Sequence, residues 1–126
     1  MKIAVVGAGA MGAWTVKELG LSRDVDEVVV ADYDESRACE VAESHGGGKA
    51  RPRFVDAREQ GSVQSVLAGC DAMVNATQHF WNITVMRAAA AARVHYTDMG
   101  GLFHVTKQQV ELHEEFRRPW RSRRSP

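Results

Sequence analysis

The sequence predicts an α/β fold in which helices cover both faces of a parallel sheet. Short apolar runs rich in β-branched residues, clearest at Lys2–Val6 and Glu27–Ala31, alternate with helical segments along the chain. The first run leads directly into a glycine-rich turn and then a helix. Because strand–helix–strand units are right-handed, we expect a doubly wound sheet of about five strands in the order 3-2-1-4-5.

The glycine-rich turn has the pattern G-x-G-x-x-G, with Gly7, Gly9 and Gly12 at its fixed positions. Gly7 allows the tight turn, Gly9 lets a phosphate approach the backbone, and Gly12 lets the helix pack closely. The helix that begins near Ala10 directs free N–H groups and its positive dipole end at that phosphate. In this context the pattern predicts a dinucleotide site of the Rossmann type, although glycines that serve packing alone are the alternative.

Asp32, at the end of the second strand, is predicted to bind the adenosine ribose. A carboxylate there can accept hydrogen bonds from both ribose hydroxyls and repels a 2′-phosphate. The nearest arginine is Arg37, one helical turn further on. The sequence therefore predicts NAD as the cofactor in preference to NADP. The alternative role, a helix N-cap, suits Asp34 better.

The remaining elements follow from periodicity and from turn residues. The first helix is expected at Ala10–Leu19, with Gly20 as its stop signal. The other strands are expected at Arg53–Val55, Cys70–Asn75 and Arg93–Thr97, and the other helices at Asp34–Ser44, Glu59–Ala68, a segment through Val85 and Met86 to Ala92, and Leu102–Phe116.

Two further strand ends contribute to the predicted cleft, because ligands of open α/β sheets bind at the carboxyl ends of the strands. Asp56 and Ala57 follow the third strand and are candidate neighbours of adenine. Ala76 and Thr77 follow the fourth strand. The small Ala76 side chain leaves room for a cofactor, and Thr77 can hydrogen-bond a phosphate or a ribose.

Candidates for acid–base chemistry are few. Asp98 and His79 are the only titratable side chains near the predicted cleft that we consider for a general acid or base. His79, His95 and His104 lack metal-ligand spacing, and the two cysteines suggest neither a disulfide framework nor a metal site. No metal site is expected.

Composition places the chain among soluble globular domains. Of 126 residues, 44% are hydrophobic and 25% charged, which suits one domain with a substantial core. The apolar runs are too short to span a bilayer, and the N-terminus lacks a signal-peptide pattern, so no membrane association is expected. The default location is the reducing cytoplasm.

The zero net charge conceals an asymmetry. Five of the 16 basic residues lie within residues 117–126, so residues 1–116 carry 11 basic and 16 acidic groups. Nucleic acid is therefore an unlikely partner for the body of the chain. We expect a dinucleotide-binding domain at residues 1–116 and a basic, disordered tail at residues 117–126; a nucleic-acid contact through the tail is the weaker alternative.

Several stretches together resemble the cofactor-binding half of the saccharopine dehydrogenase family. They are Gly7–Gly12, Asp32, Asp71–Thr77 and His95–Gly101, and the resemblance covers about residues 1–116. It implies a nicotinamide-dependent enzyme that oxidises or reduces the C–N bond between an amino acid and a keto acid. Other members of the family act on other amino-acid or polyamine substrates.

The resemblance also implies roles for residues. The backbone around Ala8, Ala10 and Met11 would hold the pyrophosphate, with Asp32 on the adenosine ribose. The other implied positions are Asp56 and Ala57 beside adenine, Ala76 and Thr77 on the path to the nicotinamide, and Tyr96, Asp98 and Gly100 at the cleft mouth.

Members of the family continue into a larger domain that supplies most substrate contacts and the dimer surface. This chain instead turns basic at Arg117, which we interpret as a truncated or frame-shifted form, or a cut fragment. Exposed apolar surface and self-association are then expected. Two functional hypotheses remain: the NAD(P)-binding domain of an oxidoreductase, or a non-catalytic nucleotide-binding fragment or NAD-sensing module.

Overall fold

The computed structural model describes residues 1–101 and 103–117. The five described strands are β1 (Lys2–Val6), β2 (Glu27–Asp32), β3 (Ala50–Phe54), β4 (Ala72–Asn75) and β5 (His95–Asp98). The helices between and after them are α1 (Ala10–Leu21), α2 (Glu35–His45), α3 (Gln60–Leu67), α4 (Asn82–Ala92) and α5 (Phe103–Glu111). A short 3-10 turn at His79–Trp81 precedes α4, and residues 113–117 are also helical.

The strands form one parallel sheet in the order β3-β2-β1-β4-β5. The predicted doubly wound topology is therefore confirmed. β1 lies at the centre, where Val5 pairs with Val30 on one side and Val74 on the other. Because the order reverses at β1, the turns after β1 and β4 separate and leave a crevice at the carboxyl edge.

Two apolar clusters cover the two faces of the sheet, as the alternation of side chains along a strand requires. Ile3 and Val5 of β1 pack with the buried sides of α1 and α2. Ala4 and Val6 pack instead with α3 and α4. Val5 and Val6 are fully buried. The apolar, β-branched character of β1 thus reflects a strand covered by helices on both sides.

The predicted end of the first helix was wrong. α1 continues through Gly20 to Leu21, and Ser22 is its C-cap. A Cβ atom on Gly20 would lie 2.9 Å from the carbonyl oxygen of Gly46, which follows α2. Gly20 therefore permits α1 to approach the end of α2 and is not a helix stop.

The third strand begins at Ala50, earlier than the predicted Arg53. Two exposed arginines and Pro52 hide the strand from a search for apolar runs. β3 is an edge strand that pairs with β2. An edge strand tolerates a proline because only one side of its backbone must join the ladder.

The other boundaries differ from expectation by a few residues. Asp34 caps α2, and its side chain accepts a hydrogen bond from the Arg37 N–H at 3.3 Å, as predicted. β5 starts at His95 because Arg93, with φ of 59°, ends α4 in the left-handed conformation. Leu102 and residues 118–126, including most of the predicted tail, lie outside the described residues.

In the part of the chain that the structure describes, no helix combines the length and apolar character needed to cross a membrane.

Candidate functional site

A cleft of about 630 Å³ lies at the carboxyl edge of the sheet, between the turns that follow β1, β2, β3 and β4. Its position is the one that the reversal of strand order at β1 predicts. The sequence-predicted residues that line it are Gly7, Gly9, Asp32, Asp56, Ala57, Ala76 and Thr77.

The three motif glycines have different surroundings. Gly7 has φ of 105°, and a Cβ there would lie 2.8 Å from the backbone of Ala76. A Cβ on Gly12 would lie 1.8 Å from the carbonyl oxygen of Gly7. Around Gly9, by contrast, no described atom beyond its own residue and its two chain neighbours lies within 4 Å of a Cβ position. The protein itself requires Gly7 and Gly12, whereas Gly9 faces open space at the start of α1.

The other predicted residues of the turn point in different directions. Ala8 is buried, and Ala8 and Ala10 line a second groove of about 420 Å³ between α1 and α2. The Met11 side chain is 59% exposed. The prediction for these residues concerned their backbone, and an α-helix leaves the first amides of its N-terminus without intrahelical acceptors.

Asp32 connects the glycine turn to the start of α2. Its Oδ2 accepts a hydrogen bond from the Ala8 N–H at 2.7 Å, and its Oδ1 accepts one from the Asp34 N–H at 2.8 Å. These contacts fix the orientation of the carboxylate at the edge of the cleft. Since each carboxylate oxygen has two lone-pair sites, both oxygens can still accept a ligand hydroxyl.

Aromatic and charged side chains form a wall beside Asp32, which the sequence did not predict. The Tyr33 ring lies 5.6 Å from the Phe54 ring, and the Arg58 guanidinium lies 5.4 Å from the centre of the Tyr33 ring. Arg58 donates to Asp56 through Nε and Nη2, at 2.9 and 2.8 Å. This pairing lowers the pKa of the Asp56 carboxyl. The only sequence signal was an aromatic residue, Tyr33, directly after Asp32.

A buried hydrogen-bond network holds the opposite side of the cleft. Asn75 is only 1% exposed. Its Oδ1 accepts from the Thr77 N–H at 3.1 Å and from the Thr77 hydroxyl at 2.6 Å. Its Nδ2 donates to Asn82 Oδ1 at 3.0 Å and to the Tyr96 hydroxyl oxygen at 3.1 Å. The end of β4 is thus fixed to α4 and β5 by side chains.

Asp98 closes this network. Its Oδ2 accepts from the Tyr96 hydroxyl at 2.8 Å and from Gln109 Nε2 at 2.6 Å, and its Oδ1 accepts from the Gly100 N–H at 2.8 Å. Burial alone would raise the pKa of the Asp98 carboxyl, but these donors lower it below its ordinary value. Burial also raises the pKa of the Tyr96 phenol.

Neither predicted acid–base candidate is among the described residues that line the cleft. Asp98 is bound by donors from β5, α5 and the loop between them. His79 is half-buried, with its Cβ close to Gly101. The lining residues that follow β4 are Ala76, Thr77, Gln78, Phe80 and Trp81, all of them uncharged.

Within residues 1–101 and 103–117, no group of three or more His, Cys, Asp or Glu is arranged to hold a metal ion.

Comparisons with known proteins agree with this geometry. Residues 3–119 match the family model described as the saccharopine dehydrogenase NADP binding domain. Among solved structures, the saccharopine dehydrogenase (L-Glu forming) of Saccharomyces cerevisiae superposes with a TM-score of 0.76 at 19% identity, over 90% of this chain and 24% of that chain.

Two further solved structures contain a dinucleotide. The Citrobacter sp. triphenylmethane reductase complexed with NADP(H) gives a TM-score of 0.70 at 19% identity, over 94% of this chain and 46% of that chain. The scyllo-inositol dehydrogenase of Lactobacillus casei with bound NAD(H) gives a TM-score of 0.69 at 15% identity, over 91% of this chain and 33% of that chain. The chain therefore spans less than half of each of these proteins, and the likeness shows a shared fold.

Proposed function

Because the chain belongs to the saccharopine dehydrogenase NADP-binding-domain family, we propose that it binds a nicotinamide dinucleotide in the cleft at the carboxyl edge of its sheet. The observation that carries this proposal is that a space for a phosphate and a carboxylate for a ribose lie next to the same turn. Gly9 leaves open space at the start of α1, and the Ala8 N–H holds the Asp32 carboxylate beside the same turn. An anion binds well at such a helix start.

The lining residues support one direction for the ligand. The diphosphate would lie over Gly9, with the adenosine ribose on Asp32. Adenine would lie near Asp56, Ala57 and the wall formed by Tyr33, Phe54 and Arg58. The nicotinamide half would then extend past Ala76 and Thr77, where the lining is uncharged.

We propose NAD as the preferred cofactor. The Asp32 carboxylate favours a free ribose diol and repels a 2′-phosphate. Arg37 and Arg58 also line the cleft, but Arg58 is already paired with Asp56. The description of the matching family names NADP, so the ratio of NADH to NADPH affinity is the sharpest test of this proposal.

As part of a larger oxidoreductase, the domain would serve a reaction at a C–N bond of an amino-acid-derived substrate. The bound nicotinamide would supply hydride transfer, and residues of this chain would bind and orient it. The three donors on Asp98 disfavour that residue as an acid or base. Of the two predicted candidates this leaves His79, which lies outside the described lining of the cleft.

The second candidate function is a non-catalytic nucleotide-binding or NAD-sensing module. The uncharged lining after β4 favours it, because hydride transfer at a C–N bond also needs a group that moves a proton. Steady oxidation of NADH with a keto acid and an amino acid would support the enzyme. Saturable binding without turnover would support the module.

The proposal extends to self-association of the chain and to its location in the cell. Phe103 and Val110 on α5 are 75% and 70% exposed, which supports self-association, and sedimentation equilibrium tests it. The free thiols Cys39 and Cys70 support a reducing, cytoplasmic location, which imaging of the tagged chain in its source cells tests.

The testing experiment is a fluorescence titration of the chain and its Asp32→Asn variant with NADH and with NADPH. We expect the unchanged chain to prefer NADH. Asp32→Asn should weaken NADH binding about tenfold or more, because charge-assisted hydrogen bonds are lost, and should weaken NADPH binding less. Asp34→Ser, which keeps the cap of α2, is the matched control.

Preference for NADPH by the unchanged chain would overturn the choice of cofactor. Binding of neither nucleotide, by a chain that circular dichroism shows to be folded, would overturn the binding proposal itself.

A further inference from the structure

We infer that the Thr77 hydroxyl acts only as a hydrogen-bond acceptor toward the dinucleotide, and that Asn75 is the positioning residue that imposes this polarity. The bound group must then be an O–H or N–H donor on the nicotinamide half of the ligand. The inference rests on the proposed function and adds the chemistry of one contact.

The orientation of the Asn75 amide follows from its neighbours. The backbone N–H of Thr77 can only donate, so the Asn75 atom 3.1 Å from it must be the oxygen, Oδ1. That same oxygen lies 2.6 Å from the Thr77 hydroxyl oxygen. Because an amide oxygen can only accept, the hydroxyl must be the donor in this contact. The one proton of the Thr77 hydroxyl is therefore committed to Asn75.

The far end of the network agrees with this assignment. With Oδ1 toward Thr77, both protons of Asn75 Nδ2 point to the Asn82 amide oxygen and the Tyr96 hydroxyl oxygen. Tyr96 must then donate its own proton elsewhere, and its hydroxyl lies 2.8 Å from the Asp98 carboxylate. A carboxylate at one end and a backbone N–H at the other thus fix the donors along the network. Turning the Asn75 amide over would set its NH2 group against the Thr77 N–H and its oxygen against the Asn82 amide oxygen.

The free lone pair of the Thr77 hydroxyl decides which ligand groups fit. The ionised oxygens of a diphosphate are acceptors, so they gain no hydrogen bond from a hydroxyl whose proton is already used. A ribose hydroxyl or a carboxamide N–H can donate to it. Both donors occur on the nicotinamide half of a dinucleotide. Thr77 would thereby distinguish that half from the diphosphate, which has its own open space at Gly9.

The test uses ligands that differ by one portion of the dinucleotide: ADP, ADP-ribose and NADH. Binding of each is measured by calorimetry to the chain and to Thr77→Val, which keeps the shape of the side chain and removes the hydroxyl. Thr77→Ser restores the hydroxyl. Thr97→Val, at an exposed position on β5, is the matched control for the substitution itself.

We expect Thr77→Val to weaken NADH binding about threefold to tenfold, the value of one hydrogen bond, and to leave ADP binding within about twofold. Thr77→Ser and Thr97→Val should behave like the unchanged chain. Weakened binding of ADP-ribose would identify a ribose hydroxyl as the donor, and unchanged binding would identify the carboxamide. Equal weakening of ADP and NADH binding, or no effect on NADH binding, would overturn this inference and leave the proposed function standing.

The role of Asn75 is tested by a double-mutant cycle. If Asn75 acts through Thr77, then Thr77→Val should cost much less NADH affinity in an Asn75→Ala background than in the unchanged chain. If the Asn75→Ala variant no longer unfolds cooperatively, the cycle is repeated with Asn75→Ser. Additive effects would show that Asn75 only supports the fold. Failure of the unchanged chain to bind ADP and NADH would overturn the proposed function and this inference with it.

Discussion

Gly9 is the motif glycine whose surroundings distinguish binding from folding. Its φ of −75° is accessible to alanine, and no described atom beyond its own residue and its two chain neighbours lies within 4 Å of a Cβ placed there. We therefore expect Gly9→Ala to leave the free energy of unfolding nearly unchanged and to weaken NADH binding at least about tenfold, since the methyl group would occupy the space of a phosphate.

Urea unfolding and NADH titration of the same preparation would check this prediction. Gly12→Ala is the contrasting variant, because its Cβ would overlap the Gly7 carbonyl oxygen, and it should lose stability. If Gly9→Ala binds NADH as tightly as the unchanged chain, the diphosphate does not lie over Gly9.

Single residues of the site differed in how well the sequence predicted them. Gly7 and Gly9 belong to a short motif whose spacing is set by one turn, and Asp32 ends the strand that follows, so all three could be placed in the cleft from the sequence. The hydrogen bond between Asn75 and Tyr96 could not be predicted, because it depends on how β4 and β5 meet in three dimensions. An asparagine at the end of an apolar strand was the only signal.

At the scale of elements, two helical glycines give a matched comparison. A Cβ added to Gly20 in α1 would lie 2.9 Å from the Gly46 carbonyl oxygen. A Cβ added to Gly61 in α3 would have no described atom within 4 Å, apart from its chain neighbours and the backbone of its own helix. We expect Gly61→Ala to stabilise the chain by about 0.5–1 kcal/mol through helix propensity. Gly20→Ala should destabilise it, because α1 would have to move away from the end of α2.

Urea midpoints of the two variants would measure both effects. A gain in stability for Gly20→Ala comparable to that of Gly61→Ala would show that the contact between α1 and the end of α2 is loose and that Gly20 does not set it.

Periodicity and turn residues predicted the order of the five described strands and of helices α1 to α5, because most of these elements bury a face of their own. Boundaries were less predictable where a local signal and a tertiary contact compete. A glycine at the end of a helical run usually marks a cap, but Gly20 serves packing. Pro52 usually excludes a strand, but β3 lies at an edge.

At the scale of the whole molecule, acid should remove a contribution that Asp98 makes to stability. Its donors outweigh the effect of burial and lower its pKa in the folded chain. An aspartate with a depressed folded pKa stabilises the fold above its unfolded pKa, near 3.9, and loses this effect as the pH falls through the folded value. The melting temperatures of the chain and Asp98→Asn should therefore differ most near neutral pH and converge below about pH 4.

Differential scanning calorimetry between about pH 7 and pH 3 would follow this convergence. A gap between the two proteins that stays constant or widens as the pH falls would contradict an ionised Asp98 at the end of the network.

The parallel topology was the most predictable property of the whole molecule, because right-handed crossovers leave few ways to arrange alternating strands and helices. What the sequence could not indicate is which apolar side chains stay exposed in the folded chain. Phe103 and Trp14 are 75% and 58% exposed, yet they occur in amphipathic patterns that equally predict burial.

Pro52 has a consequence for the behaviour of concentrated solutions. An edge strand with free backbone groups can recruit a strand from another molecule and so begin a fibril. Along β3, however, Pro52 has no N–H to offer, and Arg51 and Arg53 on either side are exposed positive charges that repel a second copy of the same edge. The residue that hides this strand from sequence-based detection thus also protects the chain from stacking at this edge.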